Sequence, residues 1–348
     1  MTPIRLLQIG LGGWGRDWAW RVIPDVTEVE VAGYADSDPA SLNQLVEELP
    51  ESKDIRFESF EEARIATRPE AVLITTTLPG HEALVRAAVD AGLHVLVEKP
   101  FAASVSAAEQ LVQAAEAKGL TLMVSQNYRF FPAPRAVARL LEEASLGDLY
   151  DVGIDFRRYS AASPNGRARH HDDEQPLLVD MSIHHFDLLR FLLRREPDRI
   201  FCEAWNPDWT AFAGPSVAAA TISIGDIVVS YRGSWVSAGP ITPWAGEWRM
   251  QFERGEVLWT SRSDDGITAD RVIVRPRSGR ARSLRLPQMR VDRWGTLSEF
   301  ATAIRERREP ECSGRENLGT LAFVEAAVES ATRHQPVGVR RAGATARA

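Results

Sequence analysis

An apolar stretch at residues 4–10 runs directly into Gly10-Leu11-Gly12-Gly13-Trp14-Gly15 and then into a helical pattern over 14–22. A strand, a Gly-x-Gly-x-x-Gly turn and a helix in that order build the βα unit that binds a dinucleotide. Gly10 permits the tight turn, Gly12 lets the backbone approach a pyrophosphate, and Gly15 allows close packing of helix on strand, while amides at the helix N-terminus face the phosphate. The second strand, 29–36, ends at Asp36, about 20 residues after the last glycine, where an acid accepts the ribose hydroxyls and repels a 2′-phosphate. Asp36-Ser37-Asp38-Pro39 contains no Arg or Lys, so the expected cofactor is NAD rather than NADP. Gly10, Leu11, Gly12, Gly13, Trp14, Gly15, Asp36 and Ser37 are the first candidate cofactor residues.

The rhythm continues. Short β-branched runs at 71–75, 94–98 and 121–126 alternate with helical patterns, which predicts a doubly wound parallel sheet of the Rossmann type over residues 1–125. The helix over 81–91 is expected to bury Leu84, Ala87, Ala88 and Ala91 and to stop at Gly92. Beyond it the period changes to two: Tyr150, Val152, Ile154 and Phe156 alternate with Asp151, Gly153, Asp155 and Arg157, the mark of half-buried strands. A hairpin turns at Gly225-Asp226 and another strand pair runs from Trp248 to Trp259 around Arg254-Gly255. Helices are expected over 177–193, 297–307 and 317–333. The second domain, 126–335, is thus α+β with a largely antiparallel open sheet, and 336–348 reads as a tail whose end, 340–348, is expected to fray.

Composition narrows the partners. The chain has a net charge of −7 and no run of five or six like charges, so neither nucleic acid nor an anionic membrane is expected and the partner is a small molecule. No stretch of about 20 apolar residues and no signal peptide appears, and Cys202 and Cys312 make neither a disulfide framework nor a zinc site, so the chain reads as cytoplasmic and without a metal. Only Lys53, Lys99 and Lys118 are lysines among 41 basic residues.

Lys99 stands in Glu98-Lys99-Pro100 at the C-terminal end of a strand, where open α/β sheets bind ligands, and the following proline keeps it out of the α region. An ammonium there can donate a hydrogen bond and polarise. In the 177–193 helix Asp180 and His184 are four apart and share a face, so the carboxylate would orient an imidazole that takes a proton from an alcohol. His185 points about 100° away.

Together these segments resemble the Gfo/Idh/MocA oxidoreductases, the glucose-fructose oxidoreductase and inositol dehydrogenase group. The resemblance spans nearly the whole chain: the Gly10 to Gly15 fingerprint, Thr75-Thr76-Thr77-Leu78-Pro79-Gly80-His81, Glu98-Lys99-Pro100, Asn127-Tyr128-Arg129-Phe130-Phe131-Pro132, and the Asp180/His184/Asp187 pattern. Ser182 stands where the family usually has glycine, and Asp173-Glu174-Gln175-Pro176 replaces its frequent glycine run.

The resemblance implies that Lys99 and His184 are the catalytic pair and that Asp180 tunes His184 and holds substrate. Thr75, Thr76, Thr77, His81, Glu98, Lys99 and Asn127 would join the cofactor residues. Substrate contacts would come from Lys99, Tyr128, Arg129, Arg157, Tyr159, His171, Asp180, His184 and His185. The reaction implied is oxidation of a secondary hydroxyl of a sugar, sugar derivative or cyclic polyol by hydride transfer to NAD, with a homodimer or homotetramer formed through the C-terminal sheet. Its rivals are a redox-neutral hydrolase, lyase or epimerase that recycles NAD, and a non-catalytic sensor of sugar or dinucleotide. The polar loop 158–172, with His170 and His171, and the ten tryptophans are further candidates for sugar recognition.

Overall fold

The computed structural model describes residues 2–160 and 171–341; His170 and most of the polar loop lie outside them. The chain divides into two compact units, Met1–Asn127 with Arg293–Leu318, and Tyr128–Asp292 with Gly319–Ala348. The second domain expected over 126–335 is therefore interrupted, because Arg293–Leu318 belongs to the first unit. Specific contacts within that unit hold the segment: Arg305 bonds Glu70 and the Pro3 carbonyl, Ser298 bonds Glu28, and the Val124 amide bonds the Cys312 carbonyl.

In the first unit β1 (Ile4–Ile9), β2 (Val29–Ala35), β3 (Arg56–Phe57), β4 (Ala71–Ile74), β5 (His94–Val97) and β6 (Leu122–Val124) pair in parallel, in the order β3-β2-β1-β4-β5-β6. The order reverses between β1 and β4, the switch point at which open α/β sheets bind ligands. All of Ala71–Ile74 is buried, as expected for strands covered on both faces. The helix after the glycine turn is short: α1 (Gly13–Asp17) passes into a π-turn segment, Trp18–Val22, and a 3-10 turn, Ile23–Asp25. Pro24, which has no N–H to donate, sits in that last turn. Asp38 caps α2 (Pro39–Glu48) by accepting from the Ala40 and Ser41 amides, which hold its carboxyl below the usual range. The unit also carries α3 (Phe60–Thr67), α4 (Leu78–Asp90) and α5 (Val105–Ala117). α4 buries Ala88 as expected, together with His81, Val85 and Val89, while Leu84 and Ala87 are half-buried and Ala91 is exposed, because the inner stripe is set by contact with the sheet.

In the second unit nine strands form one sheet. They are β7 (Leu149–Arg157), β8 (Arg199–Trp205), β9 (Val217–Ile224), β10 (Ile227–Ser234), β11 (Glu247–Phe252), β12 (Gly255–Thr260), β13 (Arg271–Pro276), β14 (Arg282–Ser283) and β15 (Val337–Gly338). Their order is β14-β13-β12-β11-β7-β10-β9-β8-β15, antiparallel except where β7 meets β10. Val337 and Gly338, expected in the tail, instead form β15 and extend the sheet edge along β8. One face of the sheet is buried through Val152, Ile154, Phe156 and their neighbours. It faces α7 (Ser182–Leu193), whose Phe186 packs edge-on against Tyr231 of β10 and face-on against Phe323 of α9 (Gly314–Arg333). Every residue from Ser182 to Arg190 is buried. The remaining helices are α6 (Pro132–Glu143), which packs against α7, and α8 (Asp292–Glu306).

The helix expected over 177–193 begins only at Ser182. The Leu177 carbonyl accepts from the amides of both Met181 and Ser182, so one wide turn precedes α7 and shifts its phase. Asp180 lies in that turn, one residue before the N-cap Met181, rather than inside the helix.

Candidate active-site residues

The turn after β1 is built from backbone with no room to spare. Gly10 has φ +94°, and a Cβ on it would lie 2.6 Å from the Thr76 amide nitrogen; one on Gly15 would lie 2.0 Å from the Gly10 carbonyl oxygen. Two buried polar side chains fix the turn: Gln8 donates to the Gly15 carbonyl at 2.7 Å, and Thr75 donates to the Gly10 carbonyl at 2.6 Å. Thr75 was expected at the cofactor, but its hydroxyl is used within the turn. Gln8 escaped the sequence reading because a lone glutamine on a strand carries no motif.

Gly12 and Gly13 differ from their neighbours, because a Cβ on either meets nothing within 4 Å. Gly12 is the N-cap of α1 and makes no side-chain cap. A short helix thus begins at an open, side-chain-free shelf, the shape a pyrophosphate requires. At the end of β2 the Asp36 carboxylate accepts from the Leu11 amide at 2.5 Å and from the Asp38 amide at 2.8 Å. A carboxylate has about four lone-pair sites, so two remain for ribose hydroxyls. The residues present fit a dinucleotide: Gly12 and Gly13 would take the pyrophosphate and Asp36 the ribose. Trp14 is 45% exposed and lies under the Arg293 guanidinium, 4.1 Å from its ring centroid. Ser37 and Thr77 are exposed and Thr76 is half-buried.

Glu98-Lys99-Pro100 follows β5. The Glu98 carboxylate accepts from Trp18 Nε1 at 2.8 Å, which turns an expected cofactor ligand into a link with the segment after α1. Lys99 is half-buried, and its peptide bond to Pro100 is cis. His81 is 2% exposed, with Nδ1 2.7 Å from the Pro100 carbonyl and Nε2 3.1 Å from the Thr76 carbonyl. Both nitrogens face backbone carbonyls, to one of which the neutral ring donates, so His81 ties two sheet-end loops together. Burial lowers its pKa against the two carbonyls. Asn127 is buried in a 3-10 turn, Asn127–Arg129.

In the second unit His184 of α7 stacks on Tyr128, with ring centroids 4.0 Å apart and planes within 3°. Burial pushes the Tyr128 phenol up to about 12, and the charge of Asp180 also acts on it. Tyr128, His184 and Asp180 therefore form one neighbourhood.

Several expected substrate residues do other work. Arg129 and Asp187, 3% and 1% exposed, form a two-pronged ion pair with both bonds at 2.6 Å. Thr320 donates to Asp187 at 3.0 Å and accepts from Arg190, which pairs with Glu196. Arg129 is thus held inside a buried network. Both nitrogens of His185 are occupied, Nδ1 near the Tyr231 hydroxyl at 3.2 Å and Nε2 near the Trp244 carbonyl at 3.0 Å, and burial pulls its pKa down to about 4. A neutral imidazole wedged between two protein partners has no nitrogen left for substrate. His171 is fully buried, edge-on to Phe212, with Nε2 2.6 Å from the Ser160 carbonyl. Arg157 pairs with Asp155 and Glu247 on the strands, and Tyr159 is 55% exposed. Among the described residues no group of three His, Cys, Asp or Glu could hold a metal, and no helix is long and apolar enough to cross a membrane.

Comparison with known proteins fits this geometry. Residues 4–126 match a family model described as an oxidoreductase family with an NAD-binding Rossmann fold, and residues 135–257 match the GFO/IDH/MocA C-terminal domain. The chain belongs to the Gfo/Idh/MocA family. As a member it is an oxidoreductase with an NAD(P)-binding Rossmann domain. An uncharacterized protein of Sinorhizobium fredii is 25% identical over 97% of this chain and 96% of its own length. A D-apiose dehydrogenase of Paraburkholderia graminis is 26% identical over 95% of this chain and 88% of its own. The fold is shared with an Agrobacterium radiobacter oxidoreductase solved with NAD+, L-tartaric acid and magnesium, at 22% identity and a TM-score of 0.84 over 97% of this chain and 99% of that one.

Proposed function

We propose that this chain is an NAD-dependent dehydrogenase that oxidises a secondary hydroxyl of a sugar, sugar derivative or cyclic polyol. The observation that carries this reading is the lysine at the end of β5, one of three in the chain, in a domain whose family model is an NAD-binding oxidoreductase. The similarity along 95% of the chain to a D-apiose dehydrogenase supports the sugar class. Asp36, held by two backbone amides at the end of β2, supports NAD over NADP.

In this reading Lys99 donates a hydrogen bond to the substrate hydroxyl oxygen and stabilises the developing alkoxide. His184 takes the hydroxyl proton, with Tyr128 stacked on the imidazole to keep its plane fixed. The C–H bond breaks, the carbonyl forms, and NAD+ supplies the acceptor for the two electrons and hydrogen that leave together. Asp180 orients the substrate and stabilises the charged imidazole. The open sheet face carries Phe201, Trp205 and Val228, each about 40–50% exposed, and supports a homodimer or homotetramer built there; light scattering gives the copy number.

The test is the near-ultraviolet absorbance of NADH across inositols, aldoses, alditols and sugar acids, with NAD and NADP in parallel and products checked by mass. NADH formation with one substrate class, and NAD preferred, is expected. A released aglycone or an epimer without net NADH would overturn it in favour of a redox-neutral cycle.

A further inference from the structure

Beside the His184–Tyr128 stack lies a cluster that none of the sequence motifs marked. Arg262 Nη1 donates to the Tyr128 hydroxyl at 3.1 Å, and its guanidinium lies 4.6 Å from the Tyr128 ring centroid and 5.4 Å from that of Trp244. Arg158 covers the same indole at 4.1 Å. The two arginines stand differently towards Asp264, which pairs with Arg158 and only feels the charge of Arg262 through space. Arg158 Nη1 reaches both oxygens of Asp264 at 3.0 and 3.1 Å, and Trp244 Nε1 donates to the same carboxylate at 2.6 Å. Arg262 forms no ion pair with any described carboxylate, and its Nε has no hydrogen-bond partner among the described residues. Asp180 and Asp292 act on Tyr128 through space without pairing with Arg262.

The backbone fixes this arrangement. Arg262 has φ +60° in a non-glycine residue. Its amide donates to Asp270 at 2.9 Å and its carbonyl accepts from the Trp244 amide at 2.8 Å. Backbone held in that region by its surroundings clusters at ligand sites. A guanidinium cannot shed its proton, and its planar fork matches a carboxylate with two parallel hydrogen bonds. Here the fork is partly buried, held against two rings, and one ring away from His184.

We propose that Arg262 recognises a carboxylate on the substrate, so that the substrate is a sugar acid, an aldonate or uronate, rather than a neutral sugar. This deepens the dehydrogenase reading and rests on it. Arg158, held by Asp264, serves as the second wall of the site by keeping the Trp244 indole in place.

The experiment compares wild type with Arg262→Gln and Arg262→Lys on matched probes: D-gluconate against D-sorbitol, and D-glucuronate against D-glucose. The readout is the ratio of kcat/KM for acid over neutral partner. Wild type is expected to favour the acid, Arg262→Gln to lower the ratio about 30–100-fold, as loss of a charge-assisted, two-pronged bond predicts, and Arg262→Lys to restore part of it. A wild type that favours the neutral partner overturns the proposal, as does an Arg262→Gln variant that lowers both partners equally, since the arginine then acts only through Tyr128. Tryptophan fluorescence titrations without turnover separate the two readings. Saturable quenching by the acids that weakens at least tenfold in Arg262→Gln, with no NADH formed, would sink the dehydrogenase reading and keep this site. No saturable binding of either acid, or binding of D-glucose 6-phosphate and inorganic phosphate in preference to both, would sink the carboxylate site.

Discussion

At Gly10 and Gly15 in the turn after β1 the chain has no space for a side chain: a Cβ on Gly15 would sit 2.0 Å from the Gly10 carbonyl oxygen. Around His184 stand side chains from distant parts of the second unit: Tyr128 is stacked on the imidazole, Arg262 bonds Tyr128 and shares the Trp244 indole with Arg158, and Arg129, Asp187, Thr320 and Arg190 form a network further along. The first region is built from peptide groups. The second is built from buried charges that must be paired. The difference predicts distinct failures, since a backbone site tolerates almost no added atom while a charged network tolerates no lost partner.

The largest effect is expected at the lysine. Lys99→Ala should lower turnover about 1,000-fold, in the range for a positioned proton-handling group, while calorimetry finds NAD affinity within about threefold of wild type. Retained turnover would remove Lys99 from the chemistry and leave the first unit as a cofactor cradle alone.

Next comes the buried pair. Asp187→Ala removes the carboxylate that both prongs of the buried Arg129 bond and should cost about 3 kcal/mol of stability in urea unfolding. The double change Arg129→Met with Asp187→Leu should recover much of that. Additive losses in the cycle would mean that the two side chains are not coupled, and the contrast between the regions would fail.

A sharper comparison sits within the glycine turn. Gly15→Ala should destabilise the first unit by about 2 kcal/mol through overpacking. Gly12→Ala meets no atom within 4 Å, so it should cost less than about 1 kcal/mol yet weaken NAD binding about tenfold. Equal losses of stability would show that Gly12 serves the fold and not the ligand.

The smallest effect is a pH slope in the second unit. His185 is neutral when buried, with its pKa pulled down to about 4, while an unfolded histidine titrates near 6.5. Between those values the unfolded chain binds the proton and the folded chain does not, so stability is full above about 6.5 and falls as the pH drops towards 4. The loss is up to about 1.4 kcal/mol per pH unit. His185→Gln should flatten this part of the slope between pH 7 and pH 5 in urea midpoints; an unchanged slope would mean that the imidazole takes up its proton while folded.

What could be read from the chain divides along the same line. The glycine turn, Asp36 and the alternation of strand with helix are local patterns, because a parallel sheet needs apolar runs at set spacings and a phosphate shelf needs glycines at fixed offsets. They determined the Rossmann unit, its β-strands and its candidate cofactor residues, and the period of two determined the antiparallel sheet. The roles within the second unit were decided by tertiary structure. Arg129 and His185 sit in the right segments, yet Asp187 claims the first and Tyr231 with Trp244 the second. The expected helix start did not hold for Asp180, which lies in a wide turn ahead of Ser182, although its charge still reaches the Tyr128 ring stacked on His184. Arg262 and Arg158 lie more than a hundred positions apart, and only the folded sheet brings them onto one indole. A backbone-built site is written in neighbouring residues because local sterics fix it. A charge-built site is written in pairings between distant residues, and desolvation, which acts only once the chain has folded, decides which charge is consumed and which is left for a ligand.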